Sequence, residues 1–122
     1  MITARHFRES EFRRCNPPCS LQDMRQDFMD TLDRVREKAG IPLVLNSAYR
    51  SKAWELSKGR TGNGAHTLGV AVDIRANNNA NKYKIIKAAL ECGVTRIGVY
   101  AWGIHIDIGD RYGKTPQVVW YG

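Results

Sequence analysis

Four side chains in two short stretches carry the chemistry of a reactive site. His66 and Asp73 stand seven positions apart in "GAHTLGVAVDI", and His105 and Asp107 stand two apart in "GIHIDIG". Small or apolar residues fill the gaps, which points all four toward the interior. There an imidazole or a carboxylate is costly unless it is paired, hydrogen-bonded or bound to a metal. Two imidazoles and one carboxylate are the ligand set of an open catalytic zinc, which keeps a fourth position for water. The remaining carboxylate could accept a proton from that water and pass it to a leaving amine. The chemistry would be amide hydrolysis. A competing reading, in which Asp73 caps a turn and both histidines are satisfied core residues, fits the spacing equally well. Arg50, at the polar end of "IPLVLNSAYR", shifts the balance, because a guanidinium there could grip a substrate carboxylate bidentately rather than form a surface ion pair.

These residues need elements to position them. In "GVAVDIRA" the alternation puts Val70, Val72 and Ile74 on one face and Ala71 and Asp73 on the other, the periodicity of a strand. In "GIHIDIG" Ile104, Ile106 and Ile108 share one face, leaving His105 and Asp107 side by side on the opposite one. "IPLVLNSAYR" reads as a buried strand that turns polar at Asn46. "SKAWELSKGRTGNG" holds room for a short helix and a glycine-rich loop leading to His66. Ser20 can cap a helix whose apolar residues Leu21, Met24, Phe28, Leu32, Val35 and Ala39 recur at threes and fours, with Gly40 and Pro42 as its stop. "NKYKIIKAALECG" predicts a second amphipathic helix with Tyr83, Ile86, Ala89 and Leu90 toward the core. "VTRIGVY", "WGIHIDIG" and "QVVWYG" predict an antiparallel meander. Helices and strands are segregated rather than alternating, so the expected class is α+β: an antiparallel sheet with helices packed on one side.

Composition sets the frame. The chain has 122 residues, 43% of them hydrophobic, enough for one core, and residues 1–122 read as a single domain. No apolar run approaches the roughly 20 residues needed to cross a bilayer, so membrane insertion is not expected. "MITARHFRESEFRRC" lacks the apolar centre of a secretory signal. The net charge of +7 favours an anionic partner. Nucleic acid, anionic lipid and cell wall all qualify, as does a merely solvated basic surface, because the basic residues are scattered. Trp54, Trp102, Trp120 and Tyr49 do not interleave with a basic stripe, which argues against a nucleic-acid partner. Three cysteines, Cys15, Cys19 and Cys92, give no disulfide framework and no closed zinc site. Packing accounts for Cys15 and Cys19, a local bridge being the other option.

Taken in order, "NSAYRS", "HTLGVAVDI" and "GIHID" resemble the three motifs of the zinc D-alanyl-D-alanine carboxypeptidase family. That family includes phage L-alanyl-D-glutamate endopeptidases and shares its fold with the hedgehog signalling domain. The similarity is greatest to short phage-encoded members, and it extends to Glu11 and Phe12, to "KAGIPLVLNSAYRS" and to "PQVVWYG". The resemblance implies one zinc ion held by His66, Asp73 and His105. It implies Arg50 at the substrate or the developing oxyanion, with Ser47 and Tyr49 of the same motif beside the substrate. Gly69 and Ala71 match its small positions, where the backbone would pass close to the site. Two positions depart from the pattern. Gly64 stands where many relatives have serine, and Trp102 stands where others carry the catalytic acid. That leaves Asp107 as the candidate base, or as a group orienting a ligand.

The implied function is a zinc-dependent peptidase cutting an amide bond in the peptidoglycan stem peptide, as carboxypeptidase or endopeptidase. It would work as a monomer at the bacterial cell wall, released as a phage endolysin or carried in a virion. The alternative is a non-catalytic phage structural or wall-binding module that keeps the fold and the metal site.

Overall fold

The computed structural model describes residues 1–122. Its five strands are β1 (Val44–Ser47), β2 (Ala71–Arg75), β3 (Arg96–Tyr100), β4 (Gly103–Asp107) and β5 (Val118–Tyr121). They form one sheet in the order β1-β2-β4-β3-β5. The helices are α1 (Glu9–Arg13), α2 (Gln26–Ala39), α3 (Lys52–Ser57) and α4 (Asn79–Glu91), joined by 3-10 turns at Leu21–Asp23 and Gly109–Tyr112. The class is α+β, and no helix is long and apolar enough to cross a membrane.

The alternation read in the sequence sets the central register. Across β2 and β4, Val72 faces Ile106, Ile74 faces Ile104, and Asp73 faces His105. Val70, Val72, Ile74, Ile104 and Ile106 are fully buried, and with Phe28, Met29, Leu32 and Val35 of α2 they belong to a single hydrophobic cluster. Burying each such side chain contributes about 1.5–3 kcal/mol. Helix α4 packs on α2 and against β4, so the isoleucine face is sealed and the face carrying His105 and Asp107 is left for chemistry.

Four expectations change. The last third is not an antiparallel meander, because β5 pairs parallel with β3. Strand β4 is already flanked by β2 and β3, so the chain leaving it finds no free edge alongside. It turns back and takes the outer edge of β3, and the strand that reverses from β4 must run parallel to β3. The helix expected from Ser20 onward is broken. Ser20 and Asp23 cap each other around the 3-10 turn, Met24 is extended and buried, and the Arg25 N–H donates to the Gly69 carbonyl at 3.0 Å. Gly69 sits at φ +76°, where a side chain would meet the Asp23 carbonyl at 2.6 Å. Its smallness therefore serves the crossing of two backbones at the break and not the site. Ala71 lies opposite Asp107 in the β2–β4 register.

Helix α4 turns inward an arc that keeps Ile86 and Ala89 of the four residues expected there. Ile85, Ala88 and Ala89 are buried, while Tyr83 and Leu90 are 65% and 58% exposed. Isoleucine and alanine each occur in adjacent pairs on this helix, so two neighbouring arcs satisfy the helical period, and the one rich in alanine is turned inward. Cys15 and Cys19 are buried in the core cluster as free thiols, in keeping with a packing role.

Candidate active site

Strands β2 and β4 bring Asp73 and His105 together as direct cross-strand neighbours. His66 arrives on the turn just before β2. The structure gathers all three, each less than 9% exposed, and one ligand atom from each lies within 4.8 Å of the other two. His66 Nε2 is 3.3 Å from Asp73 Oδ1, and His105 Nδ1 is 2.9 Å from that same oxygen. Ligand bonds of about 2.0–2.2 Å around a tetrahedral ion put neighbouring ligand atoms roughly 3.4 Å apart, so the spacing suits such an ion.

Proton placement makes the fit sharper. His66 Nδ1 lies 2.5 Å from the Ala48 carbonyl, which can only accept, so Nδ1 carries the hydrogen. Burial pushes the His66 pKa down, against the pull of Asp73, and keeps the ring neutral. Its Nε2 is then a bare lone pair aimed at a carboxylate oxygen. Two acceptors face each other across 3.3 Å with no proton between them. A cation satisfies that arrangement.

His105 is held from both sides. Its Nε2–H donates to Asp107 Oδ2 at 2.6 Å, which leaves Nδ1 toward Asp73. Burial opposes its charged form, but the hydrogen bonds to Asp107 and Asp73 prevail and its pKa is raised. Asp73 is likewise opposed by burial, yet the hydrogen bond from His105 holds it well below the usual carboxylate range. Its second oxygen accepts from Arg50 Nη2 at 2.7 Å.

The other expected site residues divide. Ser47 and Arg50 line a cavity of about 760 Å3 that opens over the cluster. Arg50 is already engaged, donating to Ser47 Oγ at 2.9 Å and pairing with Glu55 at 3.5 Å besides Asp73. Tyr49 is not at the cavity, because β1 ends at Ser47, strand alternation no longer carries to residue 49, and Tyr49 packs against the hydrophobic core. Asp107 is not at the cavity either. It is 1% exposed, its Oδ1 accepts from Arg96 Nε and from the Gly109 N–H at 2.7 Å each, and its Oδ2 is taken by His105. A carboxylate so enclosed is placed to hold His105 and not to reach a water in the cavity, and Asp73 is the only acid on the cavity lining.

Several contributors went unnoticed in the sequence. Arg96 grips Asp107, the Ala48 carbonyl fixes the His66 tautomer, and Glu55 braces Arg50. Trp120 of β5 reaches over β3, its ring 5.2 Å from that of His105 and its Nε1–H donating to the Tyr100 hydroxyl at 2.7 Å. Gly98 permits this, since a Cβ there would lie 2.5 Å from the Trp120 indole nitrogen. Trp102, where relatives place an acid, stacks on Tyr100 at 4.6 Å.

The crystal structure of the Serratia marcescens L-Ala D-Glu endopeptidase ChiX is similar to this one over 92% of this chain and 95% of that chain, with a TM-score of 0.61. At 17% identity the likeness is one of fold. No curated protein sequence gives a significant match. The family model for Peptidase M15 matches residues 5–109, which takes in the cluster and every strand but β5, and the chain belongs to that family.

Proposed function

We propose that the protein is a zinc-dependent peptidase that hydrolyses an amide bond in the stem peptide of peptidoglycan. The observation that carries this is the bare His66 Nε2 facing Asp73 Oδ1, beside His105 Nδ1, under an open cavity. His66, Asp73 and His105 would hold the ion. When bound, zinc supplies Lewis acidity to a carbonyl and to water. Asp107 orients His105 through Nε2 and strengthens it as a donor, and Arg96 and the Gly109 amide fix Asp107 in turn. Arg50 keeps Asp73 Oδ2 occupied, so that Oδ1 faces the histidines, and Ser47 and Glu55 hold the guanidinium in that pose. The positive lining suits an anionic substrate. The name of the Serratia protein and the M15 membership support the peptide class. Residues 1–122 would act as one monomeric domain at the bacterial wall, with a phage as its source.

One observation favours a second reading. The cavity presents no carboxylate free to handle a proton, as a wall-binding module without hydrolysis would also show. Purified protein incubated with peptidoglycan separates the two. New amino groups that require zinc and vanish with a chelator, with peptides identified by mass, are the expected result. Release that a chelator leaves untouched would overturn the zinc mechanism, and wall binding without release would establish the module.

A further inference from the structure

We propose that Arg14, with the side-chain amides of Asn16 and Asn46, forms a subsite that takes a free carboxylate of the peptide substrate. This rests on the peptidase reading above and names what that site selects. Three arginines line the cavity. Arg50 is spent on Asp73, Ser47 and Glu55, and Arg60 pairs with Glu55 at 3.3 Å and lies over the Trp54 ring. Arg14 is exposed and its guanidinium has no hydrogen bond or ion pair, and the side chains of Asn16 and Asn46 are equally without partners. All their donors are therefore available to a ligand.

The segment beneath them is rigid. Phe12 of α1 is fully buried, its carbonyl accepts from the N–H groups of both Cys15 and Cys19, and the Asn16 N–H donates to the Asn46 carbonyl at 2.9 Å. That last bond staples the end of α1 to β1 one residue before Ser47, so the three side chains stand on a fixed wall of the cavity that also holds the His–Asp–His cluster. Arg14, Arg50 and Arg60 outnumber the single acid Asp73 on the lining, which draws anions in. The planar fork of Arg14 matches a carboxylate in two parallel bonds. A stem peptide with lysine at its third position offers two such groups, the glutamate carboxylate and the C-terminal carboxylate.

Four synthetic stem peptides, with each of those carboxylates free or amidated, test the subsite. In the wild type, amidating the recognised carboxylate raises KM about tenfold to a hundredfold. Arg14→Gln gives the same rise on the fully free peptide with kcat changed far less, and adds nothing once that carboxylate is amidated. Which amidation matters identifies the source. A KM rise equal on all four peptides, or on none, overturns the subsite. Cleavage of none by the wild type would instead sink the peptidase reading, and the subsite is then read by NMR. Side-chain N–H signals of Arg14, Asn16 and Asn46 that shift with free but not with amidated peptide uphold it, and signals that ignore the difference overturn it.

Discussion

His105 meets a carboxylate on each side, and the sheet treats the two in opposite ways. Asp73 reaches forward, with one oxygen shared between two imidazoles and exposed to the cavity. Asp107 reaches backward into a closed nest of Arg96, the Gly109 amide and His105. Both residues sit on the same face of adjacent strands, so residue type and face do not distinguish them. What distinguishes them is the order of strands. Asp73 lies between Ser47 of β1 and His105, whereas Asp107 lies between Ala71 and β3, whose Arg96 stands directly opposite it and closes it in. A front carboxylate is placed to meet an ion, and a back carboxylate can only hold His105.

The largest break in that comparison is Asp73→Asn. Losing one of three ligands lowers zinc affinity by at least about a hundredfold, taking a third of a binding energy on the order of 10 kcal/mol, and hydrolysis falls with it. Calorimetric titration of zinc into the variant checks this. Wild-type affinity there would move the ion away from Asp73.

Asp107→Asn has a smaller effect of a different kind. Removing a group behind a ligand typically costs about tenfold to a hundredfold in metal affinity or activity. The amide oxygen can still accept from His105, with its NH2 turned toward the Arg96 and Gly109 donors, so the cost falls on affinity and saturating zinc restores turnover. Asp107→Ala, which leaves His105 without its acceptor as well, is worse. Turnover that stays lost in Asp107→Asn at full zinc occupancy would return Asp107 to the role of base.

pH sharpens the contrast without mutation. In the metal-free protein the His105 pKa is raised above its ordinary 6.5 by Asp107 and Asp73. The stability this contributes is fully present below pH 6.5 and is lost as pH rises through the raised value. Zinc requires the unprotonated Nδ1, so its affinity climbs over the same window. The difference in Tm between zinc-loaded and metal-free protein should widen as pH rises from 6.5. A gap that stays constant or narrows would mean that His105 does not exchange its proton for the ion.

Much of this geometry was legible in the chain. Period-two alternation placed Asp73, His105 and Asp107 on one face and their aliphatic neighbours on the other. The Arg96–Asp107 pair could also have been found, by counting outward from the two-residue turn Ala101–Trp102, which sets Gly98 opposite His105 and Arg96 opposite Asp107. The parallel seat of β5 could not, because it depends on which edges of the sheet are already occupied. The break at Met24 was hidden as well, since the apolar period runs through it unbroken and only the Gly69 carbonyl, far along the chain, draws Arg25 out of the helix. Tyr49 was misplaced by its motif, whose register stops being strand-like after Ser47.

The mildest test reaches the same histidine through β5. Gly98 lies between His105 and Trp120 in register, and a methyl group there would meet indole atoms at 2.5 and 2.8 Å. The indole is rigid and tied to the Tyr100 hydroxyl, so Gly98→Ala must push it off β3 and break that bond. Overpacking of this sort costs about 1–3 kcal/mol. The Trp120 indole N–H resonance should move and Tm should fall, while zinc affinity stays near that of the wild type, because His105 is fixed by Asp107 and Asp73 and only touched by the indole. Loss of zinc binding in Gly98→Ala would show that the aromatic edge, and not the back carboxylate alone, sets the pose of His105.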